Sequence, residues 1–569
     1  MRKIIIIKII LLTLILGIQV ETVKSQSYCN PINLSYPLIL NQQPNRDIND
    51  PSIVLFKNNY FLFATNSGGY WVSGDLLSWK FITPERMPLL TKEPVSFVIG
   101  EWLYFTSSSN DTIYRSNNPA AGKWEVYNTS MLISAISDFA IFVDTDGRVY
   151  SYYGCTNNDG IMSRELDAKN GLNPIKVPIV CKKINSLNNS KVKPKVDLKK
   201  TVTSSVRGSW MNKYNGKYYY QSTEFNPELG IFCDVVYVSD KPIGPFTYAP
   251  NNPISFLPDG FIRGAGNGST FADKYGNWWH VATVTSASKN DPKPRLGLFP
   301  AGFDKDGILF TKTDFGDYPI RLPSNKYFSM DKLNPGWSLL SFEKDAEAST
   351  SMASCPTTSA FDEDFSTYWS ARTGKKGEWL SVNLGSVCTI NAIQLNFAEN
   401  NKNFILQDSL LTKQYLVQYS KDNKIWEILI DKTRNTEDLI THYKELNIPI
   451  QAKYLKITNY SVPNGTFAIS GFRVFGSAEG RKPKKVDEFR GIRDYKEKDI
   501  TKLFWDKQNN TVGYNIRYGT QKDKLYHSMR VYKNTPLKVR CPDKISTYWF
   551  AIDAFNESGV TPGKEQMTH

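Results

Sequence analysis

The chain has 569 residues, of which 41% are hydrophobic and 22% are charged, and its formal net charge is +14. This length is too great for a single hydrophobic core and predicts about three domains. Basic charge can indicate a polyanionic partner, but here the lysines are scattered and only residues 481–485 (RKPKK) form a dense run. We interpret that run as a solvated linker, which argues against nucleic-acid binding.

The N-terminus has the pattern of a cleavable export signal. A charged start (MRK) precedes a short apolar segment over residues 9–18, and Val23-Lys24-Ser25 fits the rule for cleavage after a small residue. The apolar segment is about half the ~20 residues that a membrane span needs, although a membrane anchor is the alternative. The sequence therefore predicts a signal peptide over residues 1–25, no membrane span, and a secreted, periplasmic or cell-surface protein.

Residues 30–330 contain a unit that recurs five times and consists of an extended apolar segment, a turn and an aromatic strand. Asn215-Gly216 in "WMNKYNGKYYYQS" is a strong type I′ hairpin signal, because both turn positions need positive φ. Five such units, spaced about 45–70 residues apart, predict an all-β, five-bladed β-propeller with about four strands in each blade.

The residues that open the five units are the candidate site. The first strand of each blade lines the central axis of a propeller, so these residues should converge at one end of the axis. The opening residues, or their close neighbours, are Asp50, Glu93, Asp138, Arg207 and Asn267.

Several motifs of this region resemble the propeller of glycoside hydrolase family 43. They include "NDPSIVLFKNNYFLFA", "WMNKYNGKYYYQS", "GSTFADKYGNWWHVAT" and "RLGLFPAGFDKDGILF". The resemblance implies inverting hydrolysis of arabinofuranosyl, xylosyl or sometimes galactosyl linkages in polysaccharides. Two Asp and one Glu at the mouth of the axis carry out that reaction, with one carboxylate as base and one carboxylic acid as proton donor.

By this resemblance Asp50 is the general base and Asp138 tunes the pKa of the acid, although either residue could instead be an ordinary turn Asp. The family's acid Glu falls on Arg207, and a guanidinium cannot deliver a proton. The family's axial His, which helps to hold a metal ion or water, falls on Asn267. The sequence therefore predicts no cofactor and no metal, with an axial calcium ion as the alternative.

Two other carboxyl groups are weak candidates to replace the missing acid, namely Glu93 and Glu224. Aromatic side chains could form sugar-stacking faces or simply pack between blades. The substrate-binding candidates are Tyr70, Trp71, Trp210 and Asn267, whereas Trp79, Trp124 and Trp279 are expected to pack in the blades.

Residues 335–477 resemble the discoidin, or factor V/VIII C-type, module, a β-sandwich that either binds glycans or acts as a spacer. Residues 486–562 resemble a fibronectin type III module, which would be a second β-sandwich with a spacer or docking role. Cys355 and Cys388 fall in the first of these modules and could pair, because export permits disulfides. The seven cysteines show no CxxC spacing, so no zinc site is predicted.

The sequence thus predicts an exported carbohydrate-active protein whose partner is a polysaccharide or glycan. The resemblance implies hydrolysis of arabinofuranosyl or xylosyl linkages. The alternative is a catalytically impaired relative that binds glycans, because Arg207 stands in place of the acid.

Overall fold

The computed structural model describes residues 26–40, 43–129, 138–154, 160–182, 207–226, 229–285, 293–327, 329–398, 412–463, 465–487, 489–532, 537–541 and 546–567. Within these ranges the regular structure is β-strand apart from three short 3₁₀ helices, Pro119–Ala121, Met330–Leu333 and Thr357–Ala360. The predicted signal peptide lies outside the described residues. No helix in the described part of the chain is long and apolar enough to cross a membrane.

An N-terminal segment precedes the blades and contains β1 (Ser27–Tyr28), β2 (Ile39–Leu40) and β3 (Gln43–Pro44). It is followed by five antiparallel sheets of four strands each. Blade one is β4 (Ser52–Phe56), β5 (Asn59–Phe63), β6 (Tyr70–Ser73) and β7 (Lys80–Ile82). Blade two is β8 (Pro94–Ile99), β9 (Trp102–Ser107), β10 (Asn110–Asn118) and β11 (Lys123–Asn128). Blade three is β12 (Ala140–Val143), β13 (Val149–Gly154), β14 (Ile161–Leu166) and β15 (Ile179–Lys182).

Blade four is β16 (Arg207–Tyr214), β17 (Lys217–Asn226), β18 (Ile231–Ser239) and β19 (Thr247–Tyr248). Blade five is β20 (Arg263–Ala272), β21 (Trp278–Thr285), β22 (Pro294–Phe303) and β23 (Leu309–Thr311). The first strands contact one another around a closed ring, because β20 also touches β4. The chain then returns along β24 (Ile320–Arg321), which pairs with β1. The region is therefore a five-bladed β-propeller.

The second module is a β-sandwich formed from one bent eight-stranded sheet. Its strands are β25 (Ser338–Leu339), β26 (Asp345–Ala348), β27 (Trp369–Ser370), β28 (Trp379–Phe397), β29 (Gln414–Ser420), β30 (Glu427–Asp431), β31 (Thr441–Ser461) and β32 (Ala468–Ala478). The two long strands, β28 and β31, change register twice along their pairing. Such irregularities bend a strand, so the same strands can contribute to both layers of the sandwich.

The third module is a smaller sandwich. One sheet contains β33 (Arg490–Arg493), β34 (Ile500–Phe504) and β37 (Leu537–Arg540), and the other contains β35 (Gly513–Gly519), β36 (His527–Val531), β38 (Trp549–Asn556), β39 (Gly559–Thr561) and β40 (Gln566–Met567). Its core packs Trp505 against Tyr514 and Tyr518 against Phe550.

The three modules meet at a buried ionic cluster, which we call the junction. Asp317 of the propeller binds Arg530 of the third module through two hydrogen bonds of 2.8 and 2.5 Å. Arg473 of the second module binds the main-chain oxygen of Asp317 at 2.6 Å and both carboxylate oxygens of Glu363 at 2.8 Å. The side chains of Arg473 and Asp317 are 2% and 0% exposed. The modules are therefore joined by polar contacts in which each carboxylate has a cationic partner.

The expected pairing of Cys355 with Cys388 is wrong, because both residues are free and buried. Cys388 lies in β28 between β31 and β32. Cys355 precedes a 3₁₀ helix and accepts a main-chain hydrogen bond from Ser370 in β27. The two thiols thus belong to different parts of the sandwich.

Candidate functional site

Five residues in the left-handed backbone conformation mark equivalent points in the five blades. Their φ values are 52° at Asp50, 50° at Glu93, 56° at Asp138, 63° at Gly208 and 51° at Asn267. In blades one to three the first strand begins one or two residues after this residue, whereas in blades four and five the residue lies at a break in register within the strand. The same strained conformation at one place in every blade gathers these positions at one end of the axis, which we call the axial mouth.

In blade four the equivalent residue is therefore Gly208, one position after Arg207. Arg207 begins β16, and its main chain pairs with Thr223 of β17. The predicted role of the Arg207 side chain lies outside what the structure describes.

Threonine hydroxyl groups hold the left-handed residues from the neighbouring blade. The main-chain N–H of Asp50 donates to Thr283 at 3.2 Å, that of Glu93 to Thr65 at 3.0 Å, and that of Asn267 to Thr223 at 3.0 Å. These contacts join blade five to blade one, blade one to blade two, and blade four to blade five. These hydrogen bonds from threonine, which we call the threonine clamp, stabilise backbone segments that are held in the strained left-handed conformation.

Thr65 also connects the Asp50 carboxylate to the main chain of Glu93. Its hydroxyl donates to a carboxylate oxygen of Asp50 at 2.8 Å while it accepts from the main-chain N–H of Glu93. The Glu93 carboxylate in turn accepts the main-chain N–H of Asp138 at 2.7 Å. The structure thus places Asp50, Glu93 and Asp138 in one hydrogen-bonded chain across blades one to three. The contribution of Thr65 was not predicted from the sequence, where its only signal is a Thr after the second aromatic strand of the unit.

A buried polar network supports the mouth from blades four and five. The Asp234 carboxylate accepts hydrogen bonds from Thr223 at 2.5 Å, from the main chain of Gly268 at 2.8 Å, and from the His280 ring at 3.0 Å. Gly268 is required here, because a Cβ would lie 2.5 Å from the His280 ring nitrogen. This network positions the backbone at Asn267.

Two amide oxygens at the mouth have no hydrogen-bond partner among the described residues. They are Oδ1 of Asn267 and Oδ1 of Asn49, which precedes Asp50. Buried acceptors normally have partners, so two unsatisfied amide oxygens beside the mouth are unusual. Asn49 was missed by the sequence reasoning, which considered only residues that open each unit. Within the described ranges no group of three or more His, Cys, Asp or Glu side chains could hold a metal ion.

Glu224 lies at the same end of blade four but outside this hydrogen-bonded chain. It follows Thr223 in β17 and pairs across the sheet with Cys233. Because successive side chains of a strand alternate between faces, Glu224 is on the face opposite to Thr223, whose hydroxyl contacts Asn267. Burial raises the pKa of the Glu224 carboxyl to about 6.

The expectation that Tyr70 and Trp71 stack on sugar is wrong, because both rings are 0% exposed. The Tyr70 hydroxyl donates to the main chain of Pro119, and the Trp71 indole donates to the main chain of Ser35. Both rings therefore belong to the packing between elements. Trp210 is half-buried, and its indole donates to Thr270 of blade five at 2.7 Å.

Comparison with known families agrees with this architecture. Residues 43–309 match the model of glycosyl hydrolases family 43, and residues 345–471 match the F5/8 type C domain. No curated protein matches the chain.

Among solved structures, a glycoside hydrolase is 18% identical, with 75% of this chain and 97% of that chain covered and a TM-score of 0.44. The Bacteroides ovatus protein xyloglucan PUL GH43B is 15% identical, with 79% and 98% covered and a TM-score of 0.40. A chitosan-binding module of a Paenibacillus chitosanase/glucanase is 26% identical, with 24% and 99% covered and a TM-score of 0.21.

The fold and the family matches define a carbohydrate-active protein of the glycoside hydrolase type. Its propeller is similar to the family 43 model over residues 43–309, and the sandwich that follows is similar to the F5/8 type C model over residues 345–471.

Proposed function

We propose that the axial mouth binds a glycan with arabinofuranosyl or xylosyl residues, and that this protein is a glycan-binding relative of the family 43 hydrolases rather than an ordinary member. One observation carries the proposal. Three of the five equivalent positions carry a carboxylate, namely Asp50, Glu93 and Asp138. The fourth is Gly208, which has no side chain, and the fifth is the amide Asn267. The acceptors needed to hold sugar hydroxyl groups are present, but blade four supplies no carboxyl group there.

Inverting hydrolysis needs a second carboxyl group about 6.5–9.5 Å from the base to protonate the leaving oxygen. With Asp50 as base and Asp138 as the pKa-tuning residue, position 207 would have to supply that proton. Arg207 cannot do so at physiological pH. Glu93 is a poor substitute, because its carboxylate already accepts the N–H of Asp138.

Binding alone suits the remaining groups. Hydrogen bonds from sugar hydroxyl groups to carboxylates are stronger than those between neutral partners. Export by the N-terminal signal would place this mouth where polysaccharides occur. The third sandwich would be a spacer of the fibronectin type III kind.

The test combines turnover with binding. Sugar release from aryl arabinofuranosides, xylosides and galactosides is measured beside binding to a glycan array. Saturable binding without release is the expected result, and release at an ordinary enzymatic rate would overturn the proposal. Arg207→Glu, alone and with Asn267→His, should restore release if only the acid and the axial His are missing. Arg207→Gln is the control, since it removes the charge without adding a carboxyl group.

A second candidate is hydrolysis with Glu224 as the acid, which its raised pKa of about 6 favours, because a general acid works best near its operating pH. This candidate requires that Glu224→Gln abolish sugar release in a folded protein. The wild-type rate should also fall as pH rises above about 6.

A further inference from the structure

A groove runs along the third module where it meets the propeller and the start of the second module. It consists of two adjoining cavities of about 580 and 420 Å³. Both volumes lie in the range of about 300–1,000 Å³ that is typical of ligand pockets. Lys312, Asp314 and Asp331 line both cavities, so the two cavities adjoin, and we call them together the module groove.

The larger cavity begins with an aromatic platform from two blades. Tyr214 of blade four stacks on Phe303 of blade five, with ring centroids 4.0 Å apart, and Trp278 meets Phe303 edge-on at 5.1 Å. All three rings are half-buried and line the cavity. Partly exposed aromatic faces provide flat apolar surfaces against which the C–H faces of sugar rings pack.

Contacts between modules form another part of the lining. Phe310 of blade five stacks on Tyr526 of the third module at 4.1 Å. The hydroxyl of Tyr526 donates to Asp304 at 2.7 Å. The groove is therefore built by packed side chains from both modules.

The charges in the middle of the groove are paired. Lys312 lies 3.1 Å from Asp314 and 2.9 Å from Asp331. Arg517, also in the lining, binds both carboxylate oxygens of Asp553 at 2.7 and 2.9 Å. Paired charges offer donors and acceptors without a strong net charge, which favours an uncharged ligand rich in hydroxyl groups.

The module groove and the axial mouth lie at opposite ends of the blades. Tyr214 is the last residue of β16, which begins at Arg207 beside the mouth. Eight residues of extended strand span roughly 25 Å. A ligand in one site would therefore leave the other accessible.

We propose that the module groove is a second glycan-binding site, which takes an extended, uncharged oligosaccharide and holds it apart from the axial mouth. The choice of sugar as ligand rests on the proposed function, but the site itself stands on the groove. Two adjoining cavities of this volume fit a chain of several sugar rings, with Trp278 and its neighbours lining the larger cavity and the paired charges where the two cavities adjoin.

The experiment measures binding of xylohexaose, arabinohexaose and a galactan hexasaccharide by isothermal titration calorimetry. In Trp278→Ala the affinity of one binding event should fall about tenfold, because an aromatic platform is lost. Asp331→Trp should fill the space where the two cavities adjoin, and Lys332→Trp, at the neighbouring exposed residue outside both linings, is the control of equal bulk. The Asp331 side chain is 83% exposed, so these variants should fold. Asp50→Asn combined with Asp138→Asn disables the mouth alone.

The outcomes separate the two proposals. The groove is supported if one binding event is lost in Trp278→Ala and in Asp331→Trp and the same event is kept in the mouth variant and in Lys332→Trp. Events that respond only to the mouth variant overturn the groove and leave the proposed function standing. Events unchanged in every variant place binding elsewhere, as in the second module, and overturn both sites. Absence of binding to all three hexasaccharides also counts against both.

Discussion

The axial mouth and the junction both concentrate charged side chains, but they arrange them for different purposes. At the junction, Asp317 and Glu363 each bind an arginine, and the cluster is sealed between three modules. At the mouth, Asp50 and Glu93 are connected through the hydroxyl of Thr65 and a main-chain N–H. The junction therefore joins modules through ion pairs, whereas a hydroxyl group and main-chain N–H groups link Asp50, Glu93 and Asp138 between neighbouring blades.

The comparison predicts that changes at the junction reduce mainly stability and that changes at the mouth reduce mainly binding. Breaking a buried ion pair on one side leaves a charge without a partner in a medium of low polarity, which costs far more than a surface pair is worth. Each variant below tests whether the two regions respond in this way.

The largest effect is expected for Arg473→Met. The change leaves the carboxylates of Glu363 and Asp317 without their shared cation and removes a guanidinium that lies 4.6 Å from the ring centroid of Phe261. We expect the free energy of unfolding to fall by about 3–5 kcal/mol. Urea unfolding measures it. The double variant Arg473→Met/Glu363→Gln should recover part of the loss, and an unchanged urea midpoint in the single variant would refute the structural role of the cluster.

The second prediction concerns pH. Burial raises the pKa of Asp259 to about 7, while its carboxylate accepts the main-chain N–H of Arg530 at 2.8 Å. Since the folded state binds this proton more tightly than the unfolded state does, the contribution to stability is fully present below about pH 4 and is lost as pH rises through 7. Wild type should lose on the order of 2 kcal/mol relative to Asp259→Asn between pH 5 and pH 7. If the urea midpoints of wild type and Asp259→Asn changed equally between pH 5 and pH 7, the predicted contribution of Asp259 would be contradicted.

A smaller effect is expected at the mouth for Thr65→Val. The substitution keeps the side-chain volume but removes the hydroxyl that donates to Asp50 and accepts from Glu93. We expect a loss of about 1 kcal/mol in unfolding free energy and about a tenfold weaker affinity for glycan at the mouth. Thr65→Ser, which keeps the hydroxyl, should behave like wild type in calorimetric titration. Equal affinities for all three proteins would show that the link from the Asp50 carboxylate to the main chain of Glu93 does not serve binding.

The sequence predicted the blades well, because each unit carries its own strand alternation and turn signals. It also predicted the equivalent residues of four units, since equivalent positions of a repeat must meet around an axis, but in blade four it named Arg207 and the equivalent residue is Gly208. Thr65 could not be predicted, because its partners come from the next blade. The junction could not be predicted either, because Asp317 lies 156 positions from Arg473 and 213 from Arg530 in the sequence. Tyr70 and Trp71 were misjudged because an aromatic residue in a blade strand can face either solvent or a neighbouring sheet.

The smallest expected effect is a difference in unfolding free energy between two glycine substitutions, and it distinguishes backbone strain from packing at the mouth. Gly208 has a φ of 63°, and a Cβ there would lie 3.0 Å from the Thr223 hydroxyl that holds Asn267. Gly216 has a φ of 78° with no atom within 4 Å of such a Cβ, so Gly216→Ala measures strain alone, about 1 kcal/mol. Gly208→Ala should cost about 0.5 kcal/mol more, because it also displaces Thr223. Gly208→Asn has the same close contact between its Cβ and the Thr223 hydroxyl, but it carries less backbone strain, because Asn tolerates the left-handed region. If Gly208→Ala and Gly208→Asn lower the free energy of unfolding equally, then packing against Thr223 sets the requirement for glycine. In that case blade four lacks a side chain at the mouth because the Thr223 hydroxyl, which holds Asn267, leaves no room for a Cβ.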